Sequence, residues 1–180
     1  MKILGAVFAR GNSKGIKNKN LLKFENTTLV GHAVSQAYKS KFIQKVYISS
    51  DSQNIINEAK KYKAIEPFKR PKFLSSDNAP HIHVWRHFVK YLKKKKIDAD
   101  YIVDIPTTSP LRNINDINKC IKLAIEKKLD MVFTTTRSNK NPYFNMLEKK
   151  GKKLNLIKTL NKKFTRRQDA PQCHDLTTVC

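Results

Sequence analysis

Short apolar runs of strand length alternate with longer amphipathic segments along most of this chain, and few folds accommodate that rhythm. Ile3–Phe8 reads as a buried strand, and Leu29–Lys39 sets Val30, Ala33, Val34 and Ala37 on one helical face. Val46–Ser49 is a second strand, followed by a helix over Asp51–Tyr62 and a short third strand at Ala64–Pro67. Ile82–Lys93 carries Trp85, Phe88, Val89 and Leu92 at helical spacing, an apolar face that reads as core. Tyr101–Ile105 is a strand that Pro106 must end. Ile114, Ile117, Ile121 and Ile125 form a stripe behind the cap residue Asn113, and Met131–Thr135 is the next strand. Strands alternating with crossover helices imply an α/β fold with a doubly wound, mostly parallel sheet. Ligands of such sheets bind outside the carboxyl ends of the strands, so the loops beginning at Arg10, Ser50, Pro106 and Thr135 matter most.

The first of these loops has unusual chemistry. In "AVFARGNSKGIKNKN" (6–20) an apolar run stops, and Arg10, Lys14, Lys17 and Lys19 follow among two glycines and three asparagines. It matches neither the Walker pattern nor G-x-G-x-x-G, since Gly11 and Gly15 stand four apart. The physics is similar nonetheless. Glycine permits turns that aim several N–H groups at one oxygen cluster. Arg10 can grip a phosphate through two parallel bonds, while Lys14 and Lys19 act as point charges. Asn12 and Asn20 add amide donors. Across the chain Lys plus Arg is 37 and Asp plus Glu 14, a formal net charge of +23, which suits an anionic partner. Much of that excess is lysine on helix faces, as at 93–96. No RRM signature, zinc finger or helix-turn-helix accompanies it, so a basic nucleic-acid-binding protein is the minor alternative.

Other polar residues read as structural. Cys120, Cys173 and Cys180 have no CxxC spacing, which argues against a disulfide framework or zinc site and fits a reducing, cytoplasmic setting. His81, His83 and His87 lie close together without a completing ligand nearby in sequence, and His174 follows the segment 166–171. No run approaches the roughly 18 apolar residues of a spanning helix. The apolar start ends at Arg10 and is expected to be a buried first strand rather than a leader. After Thr136 the pattern changes: "YFNMLEKKGKKLNLI" (143–157) reads as an antiparallel hairpin within an excursion over 137–165, and such a hairpin needs cover, for which a second subunit is one candidate.

Five segments in order, "ARGNSKGIKNKNL" (9–21), "ISSDSQNI" (48–55), "RPKFLSSDNAP" (70–80), "PTTSPLR" (106–112) and "RRQDAP" (166–171), resemble the signatures of the acylneuraminate cytidylyltransferases (CMP-sialic acid synthetases). The resemblance implies a single nucleotide-diphospho-sugar transferase-like domain over 1–180. It also implies transfer of CMP from CTP to the anomeric hydroxyl of a sialic-acid-like 2-keto sugar acid, with release of pyrophosphate. Mg²⁺ is the implied cofactor and a homodimer the implied assembly, the hairpin lodging against the partner; nucleic acid and membrane are not expected partners. Position by position, Arg10 and Lys19 match catalytic cations. Arg10, Gly11, Asn12, Ser13, Lys14, Lys19, Asn20, Arg70, Asp77 and Thr108 match nucleotide-binding positions; Ser109, Arg112, Arg167 and Gln168 match sugar-binding ones.

Three departures qualify the match. Pro106 and Thr107 stand where the family often has Gln-Pro. Thr108 and Ser109 replace the Asp-Glu pair of the KDO cytidylyltransferases, which makes a KDO-type or other sugar nucleotidyltransferase the lesser alternative. Family members also continue past the position of Cys180 with a segment carrying an acidic metal-binding pair, so the domain is expected to be incomplete at its C-terminus, or a non-catalytic remnant. No metal ligand is assigned; Asp104 and Asp51 are the nearest acidic candidates.

Overall fold

The computed structural model describes residues 1–13, 15–66, 69–76, 78–160 and 165–176. They form two compact units, Met1–Val132 and Phe133–Thr177, the second wider than the expected hairpin excursion.

The first unit is built on a parallel sheet. Strand β1 is Ile3–Phe8; after it come a small antiparallel pair, β2 (Lys23–Phe24) and β3 (Thr27–Thr28), and helix α1 (Leu29–Lys39). Thr28 caps α1 by accepting the Gly31 N–H at 3.2 Å. Strand β4 (Lys45–Ser49), α2 (Gln53–Lys61), α3 (His81–Lys94), β5 (Tyr101–Asp104) and α4 (Ile114–Lys127) complete it. The sheet order is β4-β1-β5, all parallel. The chain steps to one side of β1, then crosses to the other, so the strand order reverses at β1 and opens a crevice at its carboxyl end.

The period-two alternation of buried strands assembles two cores. Ile3 and Val7 of β1, Val46 and Ile48 of β4, and Val103 of β5 face α1, α2 and α4. Leu4, Ala6 and Tyr47 face Phe88 and Leu92 of α3. Helices on both faces make the sheet doubly wound, as the sequence pattern predicts. Each large aliphatic or aromatic side chain buried this way contributes roughly 1.5–3 kcal/mol. Asn113 and Asp116 close a capping box at the start of α4.

Two expected strands need correction. The Ala64–Pro67 segment provides one bridge, Ile65 beside Tyr47, with the Ile65 N–H on the Val46 carbonyl at 2.8 Å; residues 67–68 lie outside the described set. Met131–Thr135 does not extend the parallel sheet. Met131 is 67% exposed, and the strand instead runs over Thr135–Arg137 (β6), antiparallel to His174–Leu176 (β9). A β-branched run fits any pleated surface, and the available partner decides where it pairs.

In the second unit Leu147–Lys150 (β7) and Lys153–Leu156 (β8) form the expected hairpin, turning at Gly151 with φ +63°. Leu147 pairs with Leu156 and Lys149 with Leu154, so three leucines share one face; Glu148, Lys150, Lys153 and Asn155 occupy the other. No helix among the described residues is long and apolar enough to cross a membrane.

Candidate nucleotide and sugar-acid site

At the reversal point the carboxyl ends of β1, β4 and β5 place three loops side by side. Gly11 follows β1 and donates its N–H to Asp51 Oδ1 at 2.9 Å, tying the first loop to the end of β4. A side chain there would not fit, because a Cβ on Gly11 would stand 2.9 Å from the Ser52 Cβ. Asn12 is exposed, whereas Arg10 and Ser13 are half-buried. Lys14 lies outside the described residues, as does Asp77. The loop ends in a single 3-10 turn, Lys19–Leu21, which presents a half-buried Lys19 and buries Asn20.

Asn20 is spent within the protein. Its Nδ2 donates to the Arg10 carbonyl at 2.8 Å, and its Oδ1 accepts from the Thr107 hydroxyl at 2.7 Å. Thr107 is buried beyond β5, while its neighbour Thr108 is exposed. The 106–112 loop is also held from α1: His32 Nε2 contacts the Pro110 carbonyl at 2.9 Å, and Gln36 Nε2 donates to the Arg112 carbonyl at 2.9 Å. Arg112 returns a bond from Nε to Gln36 Oε1 at 3.1 Å and donates from Nη2 to the Pro106 carbonyl. Its guanidinium thus buckles the loop from within. Ser109 sits half-buried at the loop's crown.

Arg70 lies behind the loops, only 5% exposed. It donates through Nε to Ser49 Oγ at 3.1 Å and through Nη2 to the Ser49 carbonyl at 2.5 Å. It also sits over the Phe8 ring, 6.0 Å from its centroid. Burial lowers its pKa to about 10, Asp51 and Asp104 oppose that fall, and Arg10 adds to it, so the group stays cationic at neutral pH. Phe8 packs against Trp85 at 5.4 Å and against His81 at 5.6 Å between centroids, and Trp85 Nε1 donates to His81 Nδ1 at 3.2 Å. Burial, then Arg70, depresses the His81 pKa.

Neither acidic candidate stands in a cluster of ligands among the described residues. Asp51 is engaged by Gly11. Asp104 is buried; burial lifts its pKa to about 7 against the pull of Arg112 and Arg70. Among the described residues no group of three or more His, Cys, Asp or Glu side chains converges to hold an ion.

The remaining sugar-side residues belong to the second unit. Arg167 and Gln168 lie on an exposed 3-10 turn, with Arg167 Nη2 donating to the Asn139 carbonyl at 2.8 Å. They line a polar cleft of about 470 Å³ together with Arg137, Asn139 and Gln172. The sequence pattern missed Thr107 as a partner of Asn20, Ser49 as the seat of Arg70, and His32 and Gln36 as supports. The sole advance signal was polar residues on an otherwise apolar helix.

Comparison with known proteins agrees with this architecture. Residues 4–177 match the family model described as cytidylyltransferase. The chain is 35% identical over 176 residues to the post-translational flagellin modification protein B of Campylobacter coli, covering 97% of this chain and 74% of that one. It is 34% identical, with the same coverage, to the CMP-N,N'-diacetyllegionaminic acid synthase of Campylobacter jejuni. The fold superposes with TM-score 0.59 on CMP:2-keto-3-deoxy-manno-octonic acid synthetase complexed with CTP, at 14% identity, over 73% of this chain and half of that one. The chain therefore belongs to the cytidylyltransferase family of nucleotidyltransferases.

Proposed function

We propose that the protein transfers CMP from CTP to the anomeric hydroxyl of a sialic-acid-like 2-keto sugar acid, releasing pyrophosphate. The observation carrying this reading is the cationic loop at the reversal point: Arg10, Gly11 and Lys19 gathered on one pinned loop, with the buried cation Arg70 behind it. The sugar hydroxyl oxygen forms a bond to the α-phosphorus while the bond to the bridging oxygen breaks, and the hydroxyl proton passes to solvent. Negative charge then accumulates on the departing pyrophosphate, and fixed cations stabilise it; positioning and electrostatics supply most of the rate. Arg10 and Lys19 take that role. Mg²⁺ arriving with CTP is the cofactor of this reading, since magnesium commonly takes one or two carboxylates together with substrate phosphates, and it would supply charge neutralisation there.

Arg167, with Arg137 in the same polar cleft, suits the carboxylate of the sugar acid. The relative named for N,N'-diacetyllegionaminic acid makes that acid the first acceptor to test. The amphipathic hairpin supports a homodimer in which the leucine face is covered by the partner.

Pyrophosphate release from CTP, assayed across N,N'-diacetyllegionaminic, pseudaminic and N-acetylneuraminic acids and KDO, tests the reading. Arg10→Ala and Lys19→Ala are each expected to lower turnover by about a hundredfold or more with the circular-dichroism spectrum unchanged. Undiminished turnover in both would falsify the assignment of this loop.

A further inference from the structure

Two loops that lie far apart in the sequence are joined by one buried side-chain hydrogen bond. Asn20 and Thr107 are 87 residues apart, yet they are 4% and 5% exposed and share a 2.7 Å hydrogen bond. The same Asn20 side chain holds the Arg10 carbonyl at 2.8 Å and is itself the residue after Lys19. One amide therefore fixes both proposed phosphate-binding cations relative to the start of the 106–112 loop. At its far end that loop is anchored to α1 through Gln36 and Arg112. Thr108 and Ser109 lie between the two anchors, with Thr108 exposed.

We propose that Thr107 is a positioning residue: through Asn20 it makes the 106–112 loop follow the loop after β1, so a nucleotide held by the first orders the second for the acceptor. The inference rests on the cytidylyltransferase reading. A proline at this position has no hydroxyl to give, so the coupling is a property of this chain's own Thr107. Both partners are buried, which makes the bond demanding: removing the hydroxyl leaves an acceptor on Asn20 without its donor and without access to water.

Hydrogen exchange with and without CTP, on the wild-type chain and on Thr107→Val and Thr107→Ser, tests it. In the wild type CTP is expected to slow exchange over both 10–20 and 107–112. Thr107→Val keeps the first protection and loses the second, and Thr107→Ser restores both. In the pyrophosphate assay Thr107→Val should leave the KM for CTP within about threefold while kcat falls about tenfold, the pattern of a lost positioning interaction rather than of lost nucleotide binding. Equal protection of 107–112 in Thr107→Val and the wild type overturns the coupling. So does a Thr107→Ser variant that behaves like Thr107→Val, since the methyl and not the hydroxyl would then be at work. If CTP protects neither loop of the wild type, the cytidylyltransferase reading falls and this inference with it. Should Thr107→Val not fold, Thr107→Ala removes the same hydroxyl together with the methyl, and is read against Thr107→Ser by the same criteria.

Discussion

The two units differ in what holds them. Every buried apolar side chain among the described residues falls between Ile3 and Ala124, in the first unit. The second has none; Leu147, Leu154 and Leu156 are all exposed, by 56%, 64% and 37%. The proposed nucleotide side is thus mounted on a scaffold that builds its own two-faced core. The proposed sugar side stands on a short strand pair and a hairpin, and a lone hairpin is marginal in water. On the proposed function, the phosphate-binding loop takes its rigidity from packing, whereas the polar cleft of the second unit has no buried apolar core beneath it among the described residues.

Substitutions can break or sharpen that contrast. The largest effect belongs to the core: Phe88→Ala should cost about 3–5 kcal/mol in urea unfolding, enough to threaten the fold. Next comes Asp104. Its folded pKa, raised to about 7, means that the folded chain holds a proton the unfolded chain has lost between about pH 4 and 7. Stability therefore falls as pH rises through that window. Asp104→Asn should raise Tm at pH 8, by up to about 4 kcal/mol in free energy, and change it little at pH 4. Identical shifts at both pH values would refute the burial argument.

Gly11→Ala is smaller, about 1–3 kcal/mol with weakened CTP binding, because its Cβ meets Ser52. Gly15→Ala, with nothing within 4 Å, should stay within about 0.5 kcal/mol. Calorimetric titration with CTP separates the two. In the second unit Leu154→Glu should shift the monomer's Tm by less than about 0.5 kcal/mol equivalent, yet abolish the proposed self-association in sedimentation velocity. An unchanged dimer would remove the hairpin as the interface.

Much of the first unit was legible because its signals are local. Alternation in β1 and β4, the isoleucine stripe of α4 and the Asn113 cap all act over a few residues, and their boundaries fall within a residue or two. The structure sets Arg10 and Lys19 on the loop after β1 and buries Arg70 against Ser49 at the end of β4; a nucleotide-binding role for them rests on the family signatures. What stayed hidden was pairing across distance. Nothing in "TTSPLR" or "KNKN" shows that Thr107 faces Asn20, or that Arg112 turns to Gln36, because those contacts arise only when β1 and β5 lie side by side. The misplacement of Met131–Thr135 has the same origin: its composition suits a strand, and the choice between β5 and β9 is a matter of topology.

Trp85 is the one tryptophan in the chain, and its ring lies against Phe8, a ring that the Arg70 guanidinium also approaches. The protein thus carries a built-in optical probe at the carboxyl end of β1. A change in its emission on rapid mixing with CTP is the expected outcome of the proposed nucleotide site, read at a single wavelength with no second indole to subtract.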